Sequence, residues 1–363
     1  MCAHGVVVVV VVVMKGGTSS TASLAASLTA SQWKSRFQRS SCRKPLSLLS
    51  VAAAKPCPRA CYDIQHFQQE ALIPKRPCVF PRDAGSPTLR LPALSRWFSE
   101  AASPAAGHLS LWSYLSAENS SNWLFPYELF RPSESLDTFS QFLDSLMSST
   151  EVTDQIMAGV LQSAVPKRTE HEFFQVHAPL RLLRKALEFN ASRKPGAASP
   201  LSLYIAQSSL SDLPQPMQDD LPVPELVQRA GRGDVYSSSI WLGTQPTYTP
   251  LHRDPNPNLF CQLYSQKSVR LLPPAVGHRV FHEVQARIQR RGNSRIRTTD
   301  MMEGDERRAL HDAVWEASPP TDQMYPVSLD AGDALFIPEG WWHSVKSGES
   351  DGKLNCSVNW WFR

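Results

Sequence analysis

The sequence predicts a mostly-β chain with a helical N-terminal part, and three observations carry that reading. Residues 258–264 and 355–362 alternate with period two, so Asn258, Phe260 and Gln262 share one face, as do Asn355, Ser357, Asn359 and Trp361. Residues 325–346 are short apolar runs broken by Gly332-Asp333 and by Pro338-Glu339-Gly340, the pattern of strands joined by tight turns. Upstream, Ser133–Val165 carries Phe139, Phe142, Leu143 and Leu146 at helical spacing, and Phe173–Phe189 repeats the pattern with Leu180, Leu183 and Leu187.

Taken in order, the chain divides into a tail (1–62), a helical part (63–200) and a β domain (201–363) that holds an Arg-rich insert at 275–325. At 363 residues it has room for one large β-rich domain and a tail. The tail contains no Asp or Glu, and its Lys and Arg are scattered among Ser and Ala. Basic, Ser-rich and acid-poor is the composition of a mitochondrial transit peptide; a disordered basic tail on a cytoplasmic or nuclear protein is the alternative. Val6–Val13 is too short to span a bilayer, which takes about 20 apolar residues, and no other segment approaches a span. Residues 1–13 read as a low-complexity extension, with Met14 as a better presequence start.

Five of the seven cysteines fall in the first 78 residues, at spacings that suggest neither a zinc ribbon nor a disulfide framework. Cys261 and Cys356 read as small core residues. Residues 64–80 read as a short helix, a Pro-bounded turn and a strand. Leu94–Phe98 and Leu109–Leu115 are amphipathic pieces. His171 and His177 lack a carboxylate at ligand spacing and read as structural. His278 and His282 are four apart on a helix face, and His311 makes a second, zinc-type site with them conceivable.

The chemistry concentrates in Trp241–Pro274. His252 and Asp254 stand two residues apart in extended sequence, which points both to one side. A third donor, His343, comes from LDAGDALFIPEGWWHS. Two imidazoles and one carboxylate that leave three positions open suit a non-haem Fe(II) oxygenase. Lys267 starts the strand after a turn at Ser265-Gln266. A lysine beside a metal site repels the cation unless an anion lies between them, and a dicarboxylate co-substrate is such an anion. Thr249 can supply a hydroxyl to it.

TPLHRDPNPNLFCQLYSQK, LDAGDALFIPEGWWHSVKS and NCSVNWWF resemble the two metal motifs and the closing strand of the JmjC oxygenases, in their small hydroxylase-type branch. The resemblance covers roughly residues 62–363. It implies a double-stranded β-helix, the jelly-roll or cupin-like barrel, with flanking helices. It implies His252, Asp254 and His343 as iron ligands, with Lys267 and Thr249 at the C5-carboxylate of 2-oxoglutarate. Tyr204, in YIAQ, adds a second hydroxyl there; Asn258 and Asn359 stand beside the metal-bound end, and Trp361 walls the pocket. The implied cofactor is Fe(II), with 2-oxoglutarate and O₂ as co-substrates and succinate and CO₂ as co-products. The expected activity is hydroxylation of a C–H bond on a protein or peptide side chain. The alternatives are a tRNA-base or small-molecule hydroxylase, which would use the insert's arginines on RNA, and a histone-type N-methyl demethylase. A non-catalytic metal-binding relative is a further alternative, opposed by the presence of Lys267 and Thr249. A monomer is expected, because the sequence ends two residues past Trp361 without a dimerisation helix.

Overall fold

The computed structural model describes residues 63–98, 121–132, 135–165, 172–193, 199–289, 292, 302–316 and 323–363. The tail, Leu109–Leu115, His171 and the insert's Arg290, Arg291, Arg295 and Arg297 lie outside them. Two antiparallel sheets face each other. The larger has eight strands: β1 (Cys78–Phe80), β2 (Leu124–Phe130), β3 (Phe173–Pro179), β4 (Leu203–Ser209), β5 (Val235–Thr244), β7 (Asn258–Tyr264), β10 (Ala334–Ile337) and β12 (Leu354–Phe362). They run in the order β1-β10-β7-β12-β5-β4-β2-β3. The smaller sheet, β6-β11-β8-β9, is built from β6 (Tyr248–Arg253), β8 (Lys267–Leu272), β9 (Tyr325–Leu329) and β11 (Trp342–Ser347).

The period-two pattern explains why the two sheets enclose a polar pocket. On β12, Cys356, Val358, Trp360 and Phe362 join the core outside the large sheet. That turns Asn355, Ser357, Asn359 and Trp361 inward. On β8, Val269 and Leu271 pack inside against Phe260 and Leu335 of the large sheet, so Lys267, of the same parity, also faces in. Helices cover both outer faces. The large sheet is backed by α1 (Leu136–Met147), α2 (Val152–Ala164) and α3 (Arg181–Ser192), which bury Phe142, Leu161 and Leu183. The small sheet is backed by α4 (Pro274–Arg287) and α5 (Gly304–Trp315), whose Val280, Phe281, Leu310 and Val314 pack on Leu251, Leu272 and Trp342. Gly277 on α4 lies so close to Trp342 that an added Cβ would stand 2.1 Å from its ring.

Four sequence expectations need correction. The part 63–200 is not only helical: beside the expected strand β1, both β2 and β3 join the large sheet. Phe173–Pro179 is a strand and the helix begins at Arg181; the apolar Phe173, Val176 and Ala178 fit β3 pairing with β2 as well as they fit a helical stripe. The region 133–165 is two helices, interrupted at Ser148–Glu151, where the Ser149 hydroxyl bonds to Asp154 and accepts from the Glu151 N–H in place of helix bonding. Cys78 is disulfide-bonded, where no such bond was expected, while Cys261 and Cys356 are buried free thiols. No helix among the described residues is long and apolar enough to cross a membrane.

Candidate metal centre

His252 and His343 are direct cross-strand partners on β6 and β11. The ladder then slips: Val345 pairs with Thr249, so two steps along β11 match three along β6. This bulge holds Pro250, which has no N–H to give to a ladder. The extra residue changes the parity of β6, so that Thr249 and His252, three apart, both line the pocket while Leu251 turns out to the helices.

Each histidine is oriented through its Nδ1. His252 Nδ1 lies 2.8 Å from the Pro250 carbonyl and His343 Nδ1 lies 3.3 Å from that of Trp341. A carbonyl can only accept, so both Nδ1 atoms carry the proton and Nε2 is the donor atom each ring offers a metal. The rings stand 4.2 Å apart. Asp254 lies just past β6, with Oδ1 3.9 Å from His252 Nε2 and Oδ2 3.6 Å from His343 Nε2. Neighbouring donors on an octahedral ion at about 2.1 Å lie about 3 Å apart, so the triad is open by an ångström or less. This donor set fits a first-row divalent metal held on one face, leaving three positions for other ligands.

The large sheet supplies what surrounds the triad. Asn258 Nδ2 donates to Asp254 Oδ2 at 3.0 Å, Asn359 Nδ2 donates to Asn258 Oδ1 at 3.0 Å, and Trp241 Nε1 donates to Asn359 Oδ1 at 2.7 Å. Lys267, 2% exposed, donates to Tyr204 Oη at 3.1 Å and to Ser357 Oγ at 2.7 Å. Burying an ammonium is costly, and an anion bound in the cavity would offset the cost. Tyr204 reaches this place because its β5 partner is Gly243; a Cβ there would stand 2.4 Å from Leu203 O and 2.6 Å from the Tyr204 ring. The indole Nε1 of Trp361 is buried without a hydrogen-bond partner, a donor poised for a ligand.

All nine residues singled out in the sequence line one cavity: His252, Asp254, His343, Tyr204, Thr249, Asn258, Lys267, Asn359 and Trp361. Ser357 and Trp241 were missed as contributors. The alternation of 355–362 already put Ser357 on the inward face; the role of Trp241 follows only from strand register. The cavity holds about 30 Å³, room for water but not for a five-carbon dicarboxylate, so side chains must part to admit one. A larger cleft of about 840 Å³ shares Tyr204 with this cavity and is lined also by Tyr248, Arg307 and Lys346. Burial pushes the Cys261 and Cys356 thiols up to about 12, the nearby Lys267 charge only partly opposing this at Cys356, so neither is a nucleophile.

The other histidines do not form the conceivable zinc-type site. His278 and His282 do share a face, with Nε2 atoms 3.0 Å apart. His311 groups instead with Asp312 and Glu316. The Lys346 ammonium lies against its Nε2, which opposes a cation. Burial, then that ammonium, lowers the His311 pKa. His177 sits exposed on β3.

Residues 65–363 match the family model described as a cupin-like domain. The chain is 26% identical over 178 residues to the lysine-specific demethylase JMJ30 of Arabidopsis thaliana, covering 49% of this chain and 37% of that protein. It is 25% identical over 183 residues to Jumonji C domain-containing protein 5 of Drosophila melanogaster, covering 50% and 41%. It is 27% identical over 162 residues to lysine-specific demethylase 8 of Danio rerio, covering 44% and 36%. The chain thus spans well under half the length of these relatives. Histidines and a carboxylate set between two facing antiparallel sheets, a match over nearly all the described residues and relatives that carry the JmjC name agree: this chain belongs to the cupin-like JmjC family.

Proposed function

We propose that this chain is an Fe(II)- and 2-oxoglutarate-dependent oxygenase that hydroxylates a C–H bond on a protein side chain. The observation that carries the reading is the pairing of an open His252–Asp254–His343 triad with the buried Lys267 ammonium in one cavity. His252, Asp254 and His343 would hold the iron. Lys267, Tyr204, Ser357 and Thr249 would bind the far carboxylate of 2-oxoglutarate, and Asn258, Asn359 and Trp361 would stand at the metal-bound end. With these co-substrates, iron supplies an oxidant strong enough to break an unactivated C–H bond. The chain's own residues orient the dicarboxylate, point the substrate carbon and keep water out; the apolar wall of Phe260, Val345 and Trp361 serves that last task.

N-methyl demethylation is the second reading, favoured by relatives named lysine-specific demethylases. It is the same hydrogen abstraction on a methyl carbon, followed by collapse of the hydroxymethylamine. The test is succinate release from 2-oxoglutarate by the iron-loaded chain, with His252→Ala as control, and mass spectrometry of trapped protein substrates. Added oxygen supports hydroxylation and lost methyl supports demethylation; no wild-type turnover above His252→Ala overturns both. RNA as substrate would show instead as salt-sensitive RNA binding with turnover on RNA. Mitochondrial targeting is a further proposal, supported by the acid-free, basic first 62 residues. A fluorescent fusion of residues 14–70 is expected in mitochondria, and a diffuse cytosolic or nuclear signal refutes it.

A further inference from the structure

We infer that Trp241 is a positioning residue that helps fix the polarity of the metal-binding carboxylate's support through Asn359 and Asn258. The inference rests on the metal-centre reading above. Trp241, on β5, bonds through its indole to Asn359 on β12, Asn359 bonds to Asn258 on β7, and Asn258 bonds to Asp254. All four residues are at most 9% exposed, so water competes little with these bonds.

The direction of this relay is set at both ends, since the Asp254 carboxylate can only accept and the Trp241 indole can only donate. An amide side chain can donate from nitrogen or accept at oxygen, and a flip exchanges the two at little internal cost. An indole N–H can only donate. Asn359 must therefore turn its oxygen to Trp241, which turns its nitrogen toward Asn258. Asn258 must then accept at its oxygen, which turns its own nitrogen toward the carboxylate. Each amide nitrogen keeps a second N–H for a ligand in the cavity. With the indole N–H gone, the carboxylate alone holds the amides in this polarity, and any flipped relay presents the Asn258 oxygen to Asp254 Oδ2. Two oxygens face to face repel, and the carboxylate would rotate away from the geometry that leaves one oxygen for the metal.

The cross-strand frame explains why Trp241 can reach. Asn359 pairs with Ser239 on one side and with Phe260 on the other, and Ser357 pairs with Trp241. The indole thus lies diagonally across β5 and β12 from Asn359, the spacing at which a long side chain bridges. An N–H of this size buried against an apolar wall needs some acceptor, so satisfying itself is the bland role for this bond. That role would move stability and leave the metal untouched, which separates the two.

The experiment is Mn(II) titration of the full chain, read by the EPR signal of free Mn(II), together with the visible absorption of the Co(II)-loaded protein. Trp241→Phe keeps the ring and removes the donor. Removing partners that orient a metal ligand costs about tenfold to hundredfold in metal affinity. Trp241→Phe is expected near the low end of that range, with a shifted Co(II) spectrum and an unchanged far-UV CD spectrum. Asn359→Asp, which can accept from the indole but cannot donate onward, is expected to do the same. In an Asn258→Ala background, where the relay is already cut, Trp241→Phe is expected to add nothing. Should Trp241→Phe fold poorly, a benzothienylalanine at this one position replaces only N–H by sulfur and carries the same expectation. Wild-type Mn(II) affinity and an unchanged Co(II) spectrum in Trp241→Phe overturn the relay alone, as does full additivity with Asn258→Ala. A wild-type chain that binds no more Mn(II) than His252→Ala overturns the metal-centre reading itself.

Discussion

Lys267 is where a single charge decides most. Its ammonium is held by Tyr204 and Ser357 hydroxyls at the end of the cavity served by β8 and β12. Charge-assisted hydrogen bonds contribute roughly 1.5–3 kcal/mol, so Lys267→Met is expected to weaken 2-oxoglutarate binding about tenfold to hundredfold while Mn(II) affinity stays. Ser357→Ala is expected to move 2-oxoglutarate affinity in the same direction by less, since Tyr204 remains. Titration of the Mn(II)-loaded chain with 2-oxoglutarate reads both; an unchanged affinity in Lys267→Met would place the anion elsewhere. At this scale the sequence was informative where chemistry is local. His252 and Asp254 stand two apart and His343 follows a Gly-Asp turn motif, so their residue types and spacing announce them. Ser357 and Trp241 carry no such announcement, because their partners, Lys267 and Asn359, are 90 and 118 residues away and depend on which strands pair.

Elements were legible where turn residues bracket a short alternating or apolar run. The strands β7, β8 and β10 begin and end where alternation and turn residues put them, and Ser265, at the turn into β8, adopts positive φ. The strand β3 was misread as helix since Phe, Val and Ala at mixed spacing satisfy both periods until β2 is there to pair with it. The bulge in β6 was equally invisible: nothing local says that Thr249 and His252 face one way, and the slip is defined by the partner strand. Helix packing yields a pH-dependent prediction. Asp154 on α2, its side chain wholly buried, accepts from Arg181 Nε at 2.6 Å on α3 and from Ser149, with Lys185 Nζ at 3.2 Å. Burial alone would raise its pKa, but the bonds from Arg181, Ser149 and Lys185 outweigh it and hold the carboxyl at about 2. A folded-state pKa below the unfolded value stabilises above the unfolded pKa of about 3.9, and the gain is lost as pH falls from there toward 2. The gain is about 2 kcal/mol. Asp154→Asn is therefore expected to be less stable by about that much at pH 7. Its deficit against wild type is expected to shrink between pH 4 and pH 2, as read by urea unfolding; a deficit that does not depend on pH refutes the clamp.

For the whole molecule the informative fact is which sheet gives what. The three metal-binding side chains come from β6, its end and β11, in the small sheet, while Tyr204, Asn258, Asn359 and Trp361 come from the large one. A metal-bound dicarboxylate therefore touches both sheets at once. Thermal unfolding is expected to show almost no shift with 2-oxoglutarate alone, a modest one with Mn(II), and the largest with both. At a hundredfold excess over Kd the gain is about 2.7 kcal/mol, and Lys267→Met should keep the Mn(II) part and lose about half or more of the rest. Equal shifts from 2-oxoglutarate with and without metal would contradict this arrangement. The seam between the sheets also has a consequence for the life of the protein in a cell. A molecule that rivets the two halves together protects the chain from the proteases that clear partly opened proteins. Under the proposed function, depletion of either metal or 2-oxoglutarate would leave the seam unbridged and speed clearance of the chain.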